Sequence, residues 1–391
     1  MKLAISVPSG YNARELLLPL RERLDADDAI EHVLVVTPAA AFQQDLFPVL
    51  GEKYLLTEAL GNQQADVVIT PTIGLDPRDT PILRDAKQRG IPTLTFVASW
   101  DNVFKMERLL AKGHSGTTKE AGGAYEVPDY FAFWNAMNQD HTLRIFPECD
   151  PSRARITGPP RFDYFSHEDR IPTKQQLLEF LGFEVTAGPL LHGATTELYP
   201  FDYILAALDD ARSAGTLPTN ANLYASVHPG GDMAKHNYAQ FKAQVKYSFG
   251  RREGSPHPDF KYLPTDEQTY MLIALFKHTD VLVNQSSTVA IESMAADVPV
   301  INVKYGKAWD WWHWYRSMVY RDFKEHYRYI TEEGGTRIVG NDKELINAVQ
   351  HYLEHPESER TERQKTIEKM ITYTDGSCGQ RLLDFAKEIA Q

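Results

Sequence analysis

The residues Asn284-Gln285-Ser286-Ser287-Thr288 follow an apolar run at Val281-Leu282-Val283 and lead into Val289-Ala290-Ile291-Glu292. That order reads as a strand, a hydroxyl-rich turn and the start of a helix. Unpaired N–H groups and the positive end of a helix dipole meet at such a turn, so it can hold an anion. Glu292 lies one helical turn beyond Thr288, which would bring its carboxylate near ribose hydroxyls if Ser286, Ser287 and Thr288 held a phosphate. The plain alternative is a Ser/Thr helix cap with a surface Glu. Two further loops follow apolar runs. In Val227-His228-Pro229-Gly230-Gly231-Asp232, Gly230 and Gly231 permit close backbone approach to a ligand and His228 brings an imidazole. His192-Gly193-Ala194-Thr195-Thr196-Glu197 closes the other, with His192, Gly193 and Thr195 as donor-side candidates alongside Gln285. Each histidine could equally be a satisfied structural residue.

If a phosphate held at these turns belonged to an activated donor, group transfer would need that phosphate stabilised as it leaves and a base for the acceptor hydroxyl. Asp101, in Ser99-Trp100-Asp101-Asn102, is the leading candidate base, with Glu15 and His114 behind it. An Asx turn formed with Asn102 is its structural alternative. Ser9-Gly10-Tyr11-Asn12 follows the first apolar run, so Ser9 and Gly10, with Trp100 and Asn102, could line the acceptor side, or Ser9 could simply cap a helix. Asp25-Ala26-Asp27 has the spelling of a metal-binding pair but sits in a charged turn before His32, and it reads as solvated surface. No metal site is expected. Trp309, Trp311, Trp312, Trp314 and Tyr315 crowd one stretch; such rings stack on sugars or lipids, although core or interface packing is their more ordinary use.

These loops need a scaffold. Apolar runs at Leu3 to Val7, His32 to Thr37, Asp66 to Thr70, Pro92 to Ala98, Tyr130 to Trp134 and Arg153 to Thr157 read as strands. Helical patterns at Asn12 to Leu24, Asp79 to Arg89 and Ala136 to Ile145 separate them, as in a doubly wound α/β sheet. The pattern then restarts, with strands at Pro189 to His192, Leu223 to His228, Val281 to Asn284 and Val298 to Val303. Its helices fall near Phe201 to Ser213, Ala234 to Val245, Glu267 to Lys277 and Thr288 to Ala296. Val103 to Val127 lacks a regular pattern and suggests a loop over the site. The end, Glu357 to Gln391, is largely helical with breaks at Gly376 and Gly379. The divisions expected are 1–165, 166–370 and a final helix at 371–391 returning to the first domain.

Composition bounds the function. At 391 residues, 42% hydrophobic and 24% charged, the chain is an ordinary globular one with room for two domains. The net charge of -12, with no long basic run, argues against nucleic acid. Two cysteines, Cys149 and Cys378, make neither a disulfide framework nor a zinc site and fit a reducing, cytoplasmic setting. No apolar stretch is long enough to span a membrane, and peripheral attachment stays open.

The ordered set of short motifs resembles a known superfamily. Asn284 to Pro299 is similar to the donor-binding segment of GT-B glycosyltransferases, CDP-glycerol glycerophosphotransferases and UDP-N-acetylglucosamine 2-epimerases. Ser99-Trp100-Asp101-Asn102, Trp134-Asn135 and Ile156-Thr157-Gly158-Pro159-Pro160-Arg161-Phe162-Asp163 resemble stretches of the glycerophosphotransferase-like, surface-carbohydrate branch. The resemblance implies two Rossmann-like domains facing across a cleft. It also implies transfer of a sugar or polyol phosphate from a nucleotide-activated donor to an acceptor hydroxyl, without metal or further cofactor, in surface polysaccharide or glycolipid synthesis. Ser286, Ser287 and Thr288 would contact the phosphates, Glu292 the ribose, and His228 the leaving phosphate. This sequence departs in the Pro-Gly-Gly-Asp loop after His228, where a basic run is expected, and it carries no Arg or Lys in the Ser-Ser-Thr turn. A nucleotide-sugar 2-epimerase and a non-catalytic nucleotide-sugar or glycan-binding module are the alternatives.

Overall fold

The computed structural model describes residues 1–111, 126–184, 188–195, 198–233 and 238–391. They form two compact units, one of Met1–Ser166, Arg252–Leu263 and Ile371–Gln391, the other of His167–Arg251 and Pro264–Met370.

In the first unit, strands β1 (Lys2–Ser6), β2 (His32–Val36), β3 (Tyr54–Thr57), β4 (Val67–Thr70), β5 (Thr93–Phe96), β6 (Tyr130–Phe133) and β7 (Ala154–Ile156) form one sheet. Every pair is parallel and the order is β3-β2-β1-β4-β5-β6-β7. Helices cover both faces of such a sheet, which is why its central strands are continuous apolar runs. Ile5, Val35 and Ile69 all stand at 0% exposure. The order reverses between β1 and β4, and ligands of open sheets sit beyond the strand ends at such a point.

The second unit repeats the plan with β8 (Leu190–Ala194), β9 (Asn222–Val227), β10 (Gln244–Tyr247), β11 (Val281–Asn284), β12 (Val300–Val303) and β13 (Arg337–Val339). Its order, β10-β9-β8-β11-β12-β13, is again all parallel, with the reversal between β8 and β11. One face packs Leu191, Phe201, Leu205, Val283 and Val349 into a core. The other face carries His192, opposite Tyr224 and Leu282, and Asn284, opposite Asn302. The α/β, doubly Rossmann-like class read from the sequence is the one observed.

Several expectations are corrected. Strands β3, β10 and β13, all at sheet edges, are additions to that reading: in β10 and β13 mixed residues such as Gln244, Lys246 and Arg337 replace apolar runs, and β3 is a four-residue strand with Leu55 exposed. The helix expected over Ala234 to Val245 is instead a short 3-10 turn, Tyr238–Gln240, and then β10; residues 234–237 lie outside the described residues. The stretch after Val103 is not irregular throughout, since Asn102–Ala111 is a helix that buries Val103, Phe104 and Met106. His114 and the rest of the expected loop, 112–125, lie outside the described residues. Gly376 separates the last two helices, but Gly379 sits inside Cys378–Ile389.

The stretch resembling Thr-Gly-x-Pro-Arg-Phe-Asp is architectural here. Arg161 donates to Glu15 at 2.9 Å and lies over the rings of Trp134 and Phe162. Asp163 takes the N–H groups of Cys378 and Gly379 at 2.9 and 2.8 Å, capping the final helix. Asn135 caps Ala136–Ile145 through Asn138 N–H. Among the described residues, no helix is long and apolar enough to cross a membrane.

Candidate functional site

The turn after β11 is held from below by a buried polar network. Asn284 and Asn302, facing each other across β11 and β12, are both at 0% exposure. Asn284 Nδ2 donates to Asn302 Oδ1 at 3.2 Å and to the Tyr327 hydroxyl at 2.7 Å. Tyr327 in turn donates to Asn302 Oδ1 at 2.8 Å, and Asn302 Nδ2 donates to Thr336 Oγ1 at 2.8 Å. The Tyr327 hydroxyl also lies 3.5 Å from the Ser287 carbonyl. Buried amides must be paired, so this network fixes where the strand ends and the turn begins.

Above it, Ser286 Oγ donates to Asp322 Oδ2 at 3.4 Å, and Ser287 Oγ accepts from Val289 N at 3.4 Å. Thr288 stands at the N-cap of Val289–Ala295 with helical backbone and makes no side-chain cap bond. The capping alternative therefore holds at Ser287, whose hydroxyl takes the first N–H of the helix, and not at Thr288. Glu292 is only 5% exposed, so it is not the surface carboxylate of that alternative either. Gln285 is wholly buried and donates to the Pro200 carbonyl at 3.2 Å.

The loop after β9 is braced from the segment that follows β10. Arg251 Nη1 donates to the carbonyls of Pro229 and Gly231 at 2.7 and 3.1 Å, and its guanidinium lies 3.6 Å from the centre of the Tyr247 ring. Gly231 N–H closes a turn onto His228 O at 2.8 Å. His228 is exposed, and its Nδ1 accepts from Gly230 N–H at 3.1 Å. That bond assigns the neutral tautomer with the proton on Nε2, which makes His228 a hydrogen-bond donor beyond the strand tip. Arg251 is the cation missing from the local sequence of this loop. Nothing in its immediate neighbours signals it, because the contact comes from beyond the next strand.

His192 and Gly193 are corrected as donor residues. Both belong to the interior of β8 rather than to the loop. His192 is 1% exposed, bonds Ser226 Oγ at 2.7 Å, and is pushed down to about 3 by burial, so it is a neutral core imidazole. A Cβ at Gly193 would meet Phe201 at 2.7 Å; the glycine makes room for that ring, not for a ligand. Thr195, at the tip, is 6% exposed and its N–H is taken by the Ser226 carbonyl. Thr196 and Glu197 lie outside the described residues.

In the first unit, Trp100 is corrected from the acceptor side to the core: it is 1% exposed and its carbonyl accepts from Asn138 Nδ2 at 2.7 Å. Gly10 is also covered, since a Cβ there would collide with the Tyr262 carbonyl, and Tyr11 stacks on Tyr262. Ser9 caps the short helix Gly10–Asn12. Asp101 accepts from Ser99 Oγ at 2.6 Å and pairs with Lys105 at 2.7 Å, while Asn102, partly exposed, begins the following helix. Glu15 pairs with Arg14 and Arg161. One carboxyl went unnoticed in the sequence. Asp79, at 0% exposure, accepts from Ser6 and Thr72 beside the reversal point, and burial pushes it up to about 7.

The sequence model of the CDP-glycerol:poly(glycerophosphate) glycerophosphotransferase family matches residues 111–387. The chain belongs to that family. Comparison with curated protein sequences gives no match. Among solved structures the chain is similar to UDP-GlcNAc 2-epimerase from Neisseria meningitidis bound to UDP-GlcNAc. The TM-score is 0.63 at 12% identity, over 99% of this chain and 100% of that one. A putative UDP-N-acetylglucosamine 2-epimerase from Listeria monocytogenes gives 0.62 at 13% identity, over 99% and 96%. A glycosyltransferase from Rickettsia africae gives 0.52 at 12% identity, over 100% and 98%. At these identities the likeness establishes the fold, which is GT-B. The reading from sequence, a transferase using a nucleotide-activated donor, stands with the family.

This glycerophosphotransferase-family chain has two further features in its second unit. Asp322, Glu325 and His326 offer one ligand atom each within 4.8 Å of one another, next to Ser286, so the residues for a cation exist although none was expected. A cavity of about 500 Å³ opens among Asp202, Tyr203, Tyr305, Lys307, Trp309 and Asp342, beyond the ends of β12 and β13. Asp25-Ala26-Asp27 takes no part, because Asp27 is paired with Lys387.

Proposed function

We propose that this protein transfers a glycerol phosphate, or a closely related polyol phosphate, from a cytidine diphosphate-activated donor to an acceptor hydroxyl. The observation that carries the proposal is the family match across residues 111–387, which spans the Ser286–Thr288 turn and the Asn284–Tyr327–Asn302 network beneath it. In the step proposed, the acceptor oxygen bonds to the β-phosphorus as the bond from that phosphorus to the bridging oxygen breaks. CMP leaves with the electron pair, and the acceptor proton passes to a base.

The turn N–H groups and hydroxyls would hold the phosphates, with Glu292 toward the ribose. His228 Nε2–H would meet the charge that develops on the leaving phosphate. Arg251 keeps the His228 loop in place and is a positioning residue. Asp101 is the base of this proposal, and it must give up part of its pairing with Lys105 to serve. The proposal needs no metal or further cofactor. It places the reaction in the cytoplasm, in keeping with two free cysteines.

Incubation with CDP-glycerol, UDP-GlcNAc and other nucleotide sugars, with and without EDTA and with a polyol phosphate acceptor, tests this. CMP release from CDP-glycerol that depends on acceptor and resists EDTA is the expected result. Epimerised UDP-GlcNAc, or binding of donors with no turnover, would sink it.

A further inference from the structure

Among the described residues, eleven large apolar side chains are exposed, and five of them fall within ten positions: Trp309, Trp311, Trp312, Tyr315 and Met318. Trp309 is 79% exposed and Trp311 60%. The expectation that this stretch packs in a core holds for Trp314 alone, at 5% exposure against Tyr199. A water-facing cluster of this density marks an interaction surface, since each indole offers a large area to bury.

Charge decides the kind of partner. Between 304 and 328 there are six Lys or Arg against three acids (Asp310, Asp322, Glu325), in a chain whose net charge is -12. Lys307 is paired with Asp202 and Arg321 with Asp322 and Glu325, so the exposed cations of the stretch are Lys304, Arg316, Lys324 and Arg328. Cations also stand over the rings: Lys307 over Trp309, Arg316 over Trp312 and Lys324 over Tyr320. Indoles that sit at the depth of lipid headgroups, flanked by cations for the phosphates, are the pattern of an interfacial anchor.

We propose that the exposed aromatic face of residues 309–318 docks on an anionic lipid surface. The surface is independent of the donor chemistry proposed above. It buries the rings of Trp311 and Trp312 among headgroups, while Arg316 and its neighbours pair with lipid phosphates. A second copy of this chain or another protein is the competing occupant, and it needs no lipid.

The test is cosedimentation of the full chain with phosphatidylcholine vesicles and with vesicles that also contain phosphatidylglycerol, together with tryptophan fluorescence. The wild type should pellet with the anionic vesicles and shift its emission to the blue. Trp311→Ser/Trp312→Ser should weaken binding about tenfold or more, and Arg316→Glu should weaken it by roughly tenfold on anionic vesicles. Both variants should keep the wild-type thermal response to nucleotide, so a failure here is separable from a failure of the donor reading. Should the double variant not fold, quenching of wild-type emission by brominated lipid decides the matter. Wild type left in the supernatant, equal binding to both vesicles, binding unchanged by the substitutions, absent quenching, or a dimer in light scattering that the substitutions break would each overturn the proposal.

Discussion

Asp163 receives the amide hydrogen of Gly379 at 2.8 Å and, through its other oxygen, that of Cys378 at 2.9 Å. The carboxylate thus sits on the N-terminus of the twelve-residue helix Cys378–Ile389, with Arg23 at 3.2 Å. Burial pushes its carboxyl up, while the two N–H groups and Arg23 pull it back toward the charged form. The residue at the end of a stretch that resembles an enzyme family's motif is, in this chain, the fastening of its last helix.

Asp163→Ala should destabilise the protein by about 2–4 kcal/mol, because it orphans two buried N–H donors and leaves Arg23 with the Gly376 carbonyl but no carboxylate. Asp163→Asn, which keeps one acceptor oxygen, should recover about half of that. Urea unfolding with an unchanged slope checks the prediction. A loss under about 0.5 kcal/mol for the alanine variant would contradict it.

Asp79 predicts a pH dependence. Its carboxyl is pushed up to about 7 by burial, against the usual 3.8. A raised folded-state value means that its contribution to stability is complete below about pH 4. That contribution is lost as pH rises through 7. The ceiling is about 4 kcal/mol, at about 1.36 kcal/mol for each pH unit. Asp79→Asn cannot ionise, so between pH 5 and 8.5 the wild type should lose stability relative to it, as read in paired thermal melts. Parallel curves would refute the assignment.

What could be read in the sequence followed locality. The buried central strands, such as Val281–Asn284, announced themselves because both their faces are apolar. The edge strands β3, β10 and β13 did not, although the edge strand β7 did, and neither did the orientation of side chains within a strand. His192 reads as the last residue of a strand, at the mouth of a loop, yet it falls inside β8 and faces Tyr224 and Ser226. The Ser286–Thr288 turn was visible as a contiguous string. Tyr327 and Arg251, which hold this turn and the His228 loop, come from segments 40 and 22 residues downstream of the carbonyls they approach, and no local pattern points to them. Asp79 reads as an ordinary first-turn acid until the fold buries it.

Tyr327→Phe removes one hydroxyl without opening a cavity. Asn284 Nδ2 then loses its shorter bond and Asn302 Oδ1 its donor at 2.8 Å, all in fully buried surroundings. A cost of about 1–3 kcal/mol is expected. The thermal response to cytidine nucleotides should shrink as well, because the turn that follows Asn284 is no longer pinned. Full nucleotide response together with the stability loss would mean that the network serves the fold alone.

His228 and Arg251 should separate chemistry from positioning. His228→Ala removes the Nε2–H donor, and the loss of one such donor typically lowers turnover by about 10²–10³. The nucleotide thermal response should be largely kept, since the turn after β11 is untouched. Arg251→Ala leaves His228 in the chain but frees the carbonyls of Pro229 and Gly231, so the imidazole samples displaced positions. An ångström of misplacement costs about 10² in rate, and turnover should fall by roughly that factor at most. Arg251→Lys should recover only part of the rate, because an ammonium can donate to both carbonyls as Nη1 does but lacks the planar guanidinium that lies over Tyr247. Acceptor-dependent CMP release by the three variants is the measurement. If Arg251→Ala retains full rate while His228→Ala does not, the brace is dispensable. If both retain it, the leaving phosphate is stabilised elsewhere, and the backbone of the Ser286–Thr288 turn becomes the group to test next.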